Sequence, residues 1–474
     1  MVDPEAGMVD APPDRRVEIQ RRPIARTLIL ATILVAAATL RFWHLDASSL
    51  WYDEVVTMKV ARAGGIRAMV AELDRIDGTR APLHPLVLHA WLALAGPSDL
   101  AGRAFSALCG LATVGVVYRI GRDVFDAPTG LWAAWLSAVC PPLVYYSQEA
   151  RMYAWLVLVT AVSWLLLLSF RRDAHPLRCG VYSLTLVALA YSHPLGLFMI
   201  AAHELAYLLV GRSLTLGVRR WLVIQVGVAL AIAPWLRRYL DHGTDYPMPR
   251  YSLKYLLAVP IEYVGGNRLV LVVCLAIVAL GLFHLVREPQ TGRRRVLLDH
   301  PTENTILLAW AASAPVAMYV YSYLSQPIFG PSRYHLFIAP AYLLLLAYGL
   351  TRLPPLLRWP LAAAGLYLSL TLLHAYSPTL KADWRGLAAW LDREHPDASA
   401  HRIVVAVHPS DPRFPREQVD AARYYMGDRY RVVAAGSEDE SAAAARYDVY
   451  CLMRHQATAA DGPARREFDG LVVK

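Results

Sequence analysis

An apolar run near the N-terminus decides the fold class. Residues 27–42 read TLILATILVAAATLRF and follow a polar leader that carries five arginines. Apolar runs of this kind recur as far as His374, at about the 17–25 residues that a helix needs to cross a bilayer core. The chain is therefore predicted to be a polytopic membrane protein.

The composition excludes an ordinary soluble protein. Hydrophobic residues make up 56% of the 474 residues and charged residues only 18%, whereas soluble domains are about 45–50% apolar and about 25% charged. The formal net charge is +9. Because the arginines form short clusters between apolar runs, they predict membrane topology and not nucleic-acid binding.

Hydropathy predicts about eleven transmembrane helices. The positive-inside rule places the leader, residues 1–26, in the cytoplasm, and its composition predicts disorder. The stretch 82–96 is apolar but short and contains Pro85, so it is predicted to lie at the outer interface; this assignment sends the short basic loops to the cytoplasm. The predicted spans lie near residues 27–42, 104–119, 130–146, 153–170, 179–193, 196–211, 221–236, 268–286, 304–324, 335–351 and 359–375.

The predicted fold is an all-α membrane domain followed by a small α/β domain. The membrane domain covers residues 27–376, with large outer loops at 43–103 and 237–267. An odd number of crossings places residues 377–474 outside the cytoplasmic membrane, where helical and strand-like patterns alternate. The helical patterns lie at 382–394 and 416–426, and the strand-like patterns at 402–407, 430–434 and 447–452.

Two adjacent carboxylates after the first span are candidate catalytic groups. Residues 49–54 read SLWYDE. A carboxylate in low-dielectric surroundings can act as a general base toward a hydroxyl, and a second carboxylate can orient it. We therefore predict that Asp53 is a base with Glu54 as its neighbour. The alternative, that the pair caps a solvated loop, stays open.

Two later turns place more charged and aromatic residues on the same predicted outer face. Arginines there run against the positive-inside bias, and they supply the permanent cation and planar donor fork that a phosphate-bearing lipid requires. The alternative is that they only anchor helix ends at the interface. The candidates are Glu149, Arg151 and Tyr153 in YYSQEARMY (145–153), and Arg333 and Tyr334 in GPSRY (330–334).

Other candidates are weaker. His193 lies in the turn YSHP (191–194), where histidine is often structural. Arg237, in the second large outer loop, could bind a carrier phosphate or lipid headgroups, and both interpretations stay open. The five cysteines form no CxxC pair and the histidines lack metal-ligand spacing. The sequence therefore indicates no cofactor, although a divalent metal stays open.

Together these motifs resemble the bacterial branch of the family 39 glycosyltransferases. That family belongs to the GT-C superfamily, with the protein O-mannosyltransferases and the lipid A aminoarabinose transferases as relatives. The resemblance rests on the order and spacing of the quoted stretches, and on PLHPLVLHAW (82–91), PWL (234–236) and DWR (383–385). The chain departs from the family at residues 80–84, which read RAPLH where the family often has HPPLY.

The resemblance implies a GT-C membrane transferase whose cavity opens to the bilayer. Its expected partners are a polyprenyl-phosphate-linked sugar donor, membrane lipids and a hydroxyl acceptor, with no nucleic acid. A direct displacement would invert the anomeric configuration. Carried over by position, Asp53 is the base, Glu54 its neighbour, Glu149 and Arg151 the second outer motif, and Arg333 and Tyr334 the motif facing the carrier phosphate. Where the chain departs from the family, Arg80 is either a further phosphate contact or part of a different entry into the helix.

The predicted function is sugar transfer from that carrier to an envelope glycan, lipid or protein. The predicted location is the cytoplasmic (inner) membrane, with the active site and residues 377–474 extracytoplasmic. A transporter or flippase of lipid-linked sugars is the main alternative, and it would not need Asp53 and Glu54. A membrane scaffold whose outer domain binds a partner is a third hypothesis.

Overall fold

The fold is predominantly helical. The computed structural model describes residues 13–76, 81–242, 249–287, 294–330, 332–375, 382–394, 396, 403–407, 415–434 and 449–453. Its helices are α1 (Pro13–Phe42), α2 (Tyr52–Ala61), α3 (Ile66–Ile76), α4 (Leu83–Ala95), α5 (Asp99–Val124), α6 (Ala127–Val139), α7 (Pro141–Tyr145), α8 (Tyr153–Ser169), α9 (Pro176–Ser192), α10 (Gly196–Val210), α11 (Val218–His242), α12 (Leu253–Ala258), α13 (Arg268–Leu282), α14 (Pro301–Leu324), α15 (Ala339–Arg352), α16 (Pro355–Ala375), α17 (Trp384–Glu394) and α18 (Pro415–Met426). Its strands are β1 (Phe283–Arg287), β2 (Arg294–Leu298), β3 (Ile403–Val407), β4 (Arg431–Ala434) and β5 (Val449–Met453).

Several of these helices have the properties of membrane spans. Among the described residues, five helices are long and apolar enough to cross a bilayer: α1 from Ile24, α5, α11, α14 and α16. The segments Leu253–Val264 and Arg268–Leu282, bent by 88°, would add a sixth span if they cross together. Helices also occupy the other predicted spans, but several are shorter. The helical membrane fold is therefore present, and the count of eleven crossings stays a prediction.

Two stretches differ from the sequence prediction. Helix α1 begins at Pro13, so residues 13–26 are helical and do not form a disordered leader; residues 1–12 lie outside the described part of the chain. Arginine, glutamine and alanine are good helix formers, and a helix propagates readily from a formed apolar core. Residues 283–286, predicted as the end of a span, belong to strand β1, which pairs antiparallel with β2.

Aromatic stacking marks the centre of the membrane domain. The rings of Trp164 on α8 and Trp310 on α14 stack with their centroids 5.3 Å apart, and both side chains are fully buried. Helix α8 also packs against α5 and α9, while α10 packs against α14. This packing fixes the start of α8, and with it the turn that carries Glu149 and Arg151.

A small α/β unit follows the membrane helices. Strands β3, β4 and β5 form a parallel sheet in the order β4-β3-β5, and α17 and α18 pack together. These elements lie where the sequence patterns place them. The residues of β3 are all buried, as expected of a central parallel strand.

The long first outer loop of the sequence prediction is largely helical. It contains α2, α3 and α4, and α2 packs against α3, α4 and α18. Its first helix, α2, therefore lies between the membrane helices and the α/β unit. The predicted base, Asp53, stands in the first turn of that helix.

Candidate active site

The start of α2 is set by its own sequence. Trp51 has extended backbone angles at the N-cap position, and the Glu54 carboxylate accepts a hydrogen bond from the Trp51 N–H at 3.3 Å. Carboxylates in a first turn also interact favourably with the positive end of the helix dipole. The sequence Trp-Tyr-Asp-Glu thus places Asp53 in the first turn of a helix.

Glu54 lies in a buried ion pair and not beside the cleft. Its two oxygens accept from Arg103 Nε at 2.8 Å and Nη2 at 2.9 Å, and Oε1 also accepts from the Ala150 N–H at 2.8 Å. Both side chains are almost fully buried. Glu54 therefore joins α2 to α5 and to the 149–151 turn, and both of its oxygens are engaged in these bonds. The prediction that it assists Asp53 as a neighbouring group stays a prediction.

Arg103 is the residue that the sequence reasoning missed. Its guanidinium also donates to the carbonyl oxygens of Leu45, Ser48 and Ser49 at 2.7–3.0 Å. One arginine thus fixes the whole segment that leads into α2. The available signal was an arginine at the predicted outer edge of an apolar helix, where the positive-inside bias disfavours it.

Asp53 lies between two arginines from distant parts of the chain. Its Oδ2 is 3.7 Å from Arg151 Nη2 and 3.7 Å from Arg333 Nη1. The three side chains are between 13% and 24% exposed, so they are partly shielded but reachable. The structure therefore brings together the three clusters that the sequence assigns to one face.

The carboxylate of Asp53 retains hydrogen-bonding capacity. Arg151 Nη1 donates to the backbone oxygen of Asp53 at 3.0 Å and to Thr57 Oγ1 at 2.8 Å, which holds the guanidinium against α2. A separation of 3.7 Å is an ion-pair distance and too long for a hydrogen bond. Within the described residues, no donor makes a hydrogen bond to the Asp53 carboxylate, so its oxygens can accept one from a substrate hydroxyl.

Aromatic rings surround the two arginines. The Arg333 guanidinium lies 6.0 Å from the Trp51 ring and 5.1 Å from the Tyr334 ring, and Arg151 lies 5.9 Å from the Tyr153 ring. Burial would lower the pKa of Arg333, but the facing Tyr153, Tyr334 and Asp53 groups outweigh it and raise that pKa above its ordinary value. Arg333 therefore keeps its charge at any physiological pH.

The chain has counterparts among known proteins. Residues 79–237, about a third of the chain, match the family model described as dolichyl-phosphate-mannose-protein mannosyltransferase. ArnT from Cupriavidus metallidurans bound to undecaprenyl phosphate is similar over 88% of this chain and 87% of its own, with a TM-score of 0.56 and 16% identity. The apo state of the same protein gives a TM-score of 0.58 at 16% identity, over 87% of each chain.

The chain has the GT-C glycosyltransferase fold. The resemblance predicted from the sequence motifs is thereby confirmed. The oligosaccharyltransferase of Archaeoglobus fulgidus in the apo form is similar over 87% of this chain and 64% of its own, with a TM-score of 0.49 and 12% identity. No curated protein matches the chain.

His193 lies near enough to both arginines of this site to feel their charge. It follows the end of α9, and its Nδ1 accepts a hydrogen bond from the Leu195 N–H at 3.1 Å. Burial, and then the positive field of Arg151 and Arg333, lowers the pKa of His193 to about 3. The ring is therefore neutral, and since Nδ1 is an acceptor, Nε2 carries the proton and can only donate.

Glu149 is buried under the same turn. Its side chain is hydrogen-bonded to Tyr145, and only 2% of the residue is exposed. The Arg151 N–H donates to the Glu149 carbonyl oxygen at 2.7 Å, which makes the turn tight. Glu149 is thus a buried group that is hydrogen-bonded to the neighbouring Tyr145, and its catalytic role stays a prediction.

Two further arginines, Arg237 and Arg80, were predicted as candidate contacts for the donor phosphate. The Arg237 side chain is 86% exposed and lies 3.9 Å from its helix neighbour Asp241, so the structure does not bring it to Asp53. Arg80 lies outside the described residues. Within the described parts of the GT-C fold, no group of three His, Cys, Asp or Glu residues is placed to hold a metal ion.

Proposed function

We propose that the chain transfers a sugar from a polyprenyl-phosphate carrier to a hydroxyl acceptor on the outer face of the membrane. The observation that supports this most strongly is the Asp53 carboxylate, open to a substrate and flanked by Arg151 and Arg333. The GT-C fold supports a glycosyltransferase, and the similar ArnT structure holds undecaprenyl phosphate. A polyprenyl-phosphate ligand suits two permanent cations at one site.

In the proposed reaction the Asp53 carboxylate and the two arginines have separate roles. The acceptor oxygen attacks C1 of the sugar while Asp53 takes its proton. The new C1–O bond forms as the bond from C1 to the phosphate oxygen breaks, and the phosphate leaves with the electron pair. Arg151 and Arg333 stabilise the charge that develops on this leaving group, as positioned donors in a partly shielded site do.

A single displacement of this kind inverts the anomeric configuration. It needs no covalent sugar-enzyme intermediate, because Asp53 acts on the acceptor and not on the sugar carbon. His193, which is neutral and can donate through Nε2, would hydrogen-bond a donor or acceptor oxygen. The acceptor would be an envelope glycan, a lipid or a protein, and the protein would lie in the inner membrane with this site extracytoplasmic.

The test is a transfer assay with purified protein in lipid nanodiscs. Polyprenyl-phosphate hexoses and pentoses are offered with envelope acceptors, and mass spectrometry follows the glycosylated acceptor and the released polyprenyl phosphate. Asp53→Asn keeps the size of the side chain but cannot take a proton, so turnover should fall by about 10²–10⁴-fold. Asp241→Asn, which alters an exposed carboxylate on α11, is the matched control and should retain turnover.

The same assay separates the transferase from a flippase. A flippase would move the carrier between leaflets and leave the sugar attached, so no free polyprenyl phosphate would accumulate. Wild-type turnover by a folded Asp53→Asn protein would remove Asp53 as the base. An absence of transfer with every donor, together with movement of intact carrier, would favour the transport hypothesis.

A further inference from the structure

The segment that leads into α2 is held from the other end of the chain. Arg385, at the start of α17, donates from Nη2 to the carbonyl oxygens of Asp46 at 2.7 Å and Ser48 at 2.8 Å, and from Nη1 to Asp46 Oδ1 at 2.8 Å. Its backbone N–H donates to Ser49 Oγ at 3.0 Å. The α/β unit therefore clamps the residues that immediately precede Asp53.

Tyr425 of α18 contacts the backbone three residues before Asp53. Its hydroxyl accepts a hydrogen bond from the Leu50 N–H at 2.7 Å and donates to Asp99 Oδ2 at 2.7 Å. Leu50 is only 1% exposed, so its N–H has no access to water as a substitute. Asp99 is held in turn by Arg62 at 3.0 Å and by the Tyr424 hydroxyl at 3.0 Å.

The two parts of the chain also share a hydrophobic core. Leu50, Val55 and Met58 from the α2 region belong to the same buried cluster as Trp384 and Leu387 of α17. The α/β unit is therefore not an appendage on a linker. A displacement of α18 or α17 would be transmitted to α2 through direct contacts.

We propose that Tyr425 is a positioning residue for Asp53, and that through it the α/β unit sets the catalytic geometry. This inference rests on the proposed function. Only two residues separate Leu50 from Asp53, and the Asp53 carboxylate must sit between two guanidinium groups at 3.7 Å. A displacement of about 1 Å can cost on the order of 10²-fold in rate, so one anchoring bond at Leu50 matters for turnover.

Tyr425→Phe removes the hydroxyl and keeps the ring. We expect kcat to fall by about tenfold or more, since the Leu50 N–H loses its partner and α2 shifts relative to the arginines. The KM for the lipid donor should stay within about twofold, because Arg151 and Arg333 are untouched. If Tyr425 only stabilised the fold, the variant would yield less folded protein. The molecules that do fold would then keep the wild-type kcat, KM and pH profile.

The chain offers a matched control in the same unit. Tyr430 donates its hydroxyl to Asp392 Oδ1 at 2.6 Å, a contact inside the α/β unit that does not reach α2. Tyr430→Phe makes the same chemical change and should leave kcat as in the wild type. Ser49→Ala is the second test variant; it removes the acceptor of the Arg385 N–H and should lower kcat in the same direction, with less risk to folding.

Amide hydrogen exchange gives a readout that does not depend on turnover. In Tyr425→Phe, peptides covering residues 46–56 should exchange faster, while peptides from α14 keep the wild-type rate. Unchanged exchange and kcat in both Tyr425→Phe and Ser49→Ala, or a rise in donor KM alone, would overturn the positioning role. If the wild-type protein shows no transfer, the proposed function fails, and the exchange experiment still decides whether Tyr425 orders α2.

Discussion

The buried pair of Glu54 and Arg103 allows the sharpest quantitative prediction. Arg103→Met removes both guanidinium donors to the Glu54 carboxylate, whose remaining hydrogen bonds include those from the N–H groups of Ala150 at 2.8 Å and Trp51 at 3.3 Å. Removing one partner of a buried ion pair typically costs about 3–5 kcal/mol, because a buried charge is left uncompensated. The ratio of folded to unfolded protein should fall by roughly two to four orders of magnitude.

A double-mutant cycle tests this account of the Arg103 variant. Adding Glu54→Gln removes the uncompensated charge while the amide oxygen can still accept from the Ala150 N–H. The double variant should therefore be more stable than Arg103→Met by about 1–3 kcal/mol, the usual cost of leaving a buried group without its partner. Unfolding midpoints in a mild detergent measure all the corners of the cycle.

The control is an ion pair on the surface. Arg75 and Glu72 lie on α3, with the Arg75 side chain 65% exposed, and Arg75→Met should leave the unfolding midpoint unchanged. If Arg103→Met is as stable as the wild type, or if Glu54→Gln restores nothing, the pair has no structural coupling. Glu54 would then remain a candidate for the chemistry.

Three further predictions concern donor binding, pH and topology. Arg151→Gln and Arg333→Gln should each weaken polyprenyl-phosphate binding by about 1.5–3 kcal/mol, roughly ten- to over a hundredfold, while Arg237→Gln should not. Titration calorimetry in nanodiscs measures these affinities. Equal affinities in the three variants would refute a phosphate-binding role for Arg151 and Arg333. The folded-state pKa of His193, about 3, lies below its ordinary value of 6.5, so its contribution to stability is complete above pH 6.5 and is lost as the pH falls toward 3. At pH 5 the free energy of unfolding of the wild type should be about 2 kcal/mol lower than at neutral pH because of this group, a loss that His193→Gln does not show in denaturant unfolding. A reporter that is active only in the cytoplasm should be inactive when fused after Lys474, and activity there would reverse the assigned topology.

Hydropathy predicted where the helices lie in the sequence but not which side chains contact each other between them. The lengths of apolar runs are a local property, so α5, α11 and α14 lie where the sequence predicts them. The meeting of Asp53, Arg151 and Arg333 also followed from the sequence, because alternation of spans places their turns on one face.

The buried polar contacts could not be predicted in this way. The partner of Glu54 is Arg103, 49 positions away, and nothing in either local pattern selects it over Arg151. For Arg237 the sequence suggested a phosphate or headgroup contact, and the structure shows a side chain exposed to solvent. A basic residue in an outer loop has the same sequence pattern in both cases. The hairpin of β1 and β2 was missed because a short apolar run continues the preceding helix pattern without a break.

The bonds between the start of α2 and the α/β unit link residues 334 to 375 positions apart. A ribosome adds about 5–20 residues per second, so Leu50 is made on the order of 20–75 s before Tyr425. During that interval α2 exposes apolar residues and an unsatisfied backbone whose partners have not yet been synthesised. A chain that stalls before α18 would carry Asp53 and both arginines and still lack the Tyr425 contact to Leu50, so the proposed site is complete only after residue 425 has been synthesised.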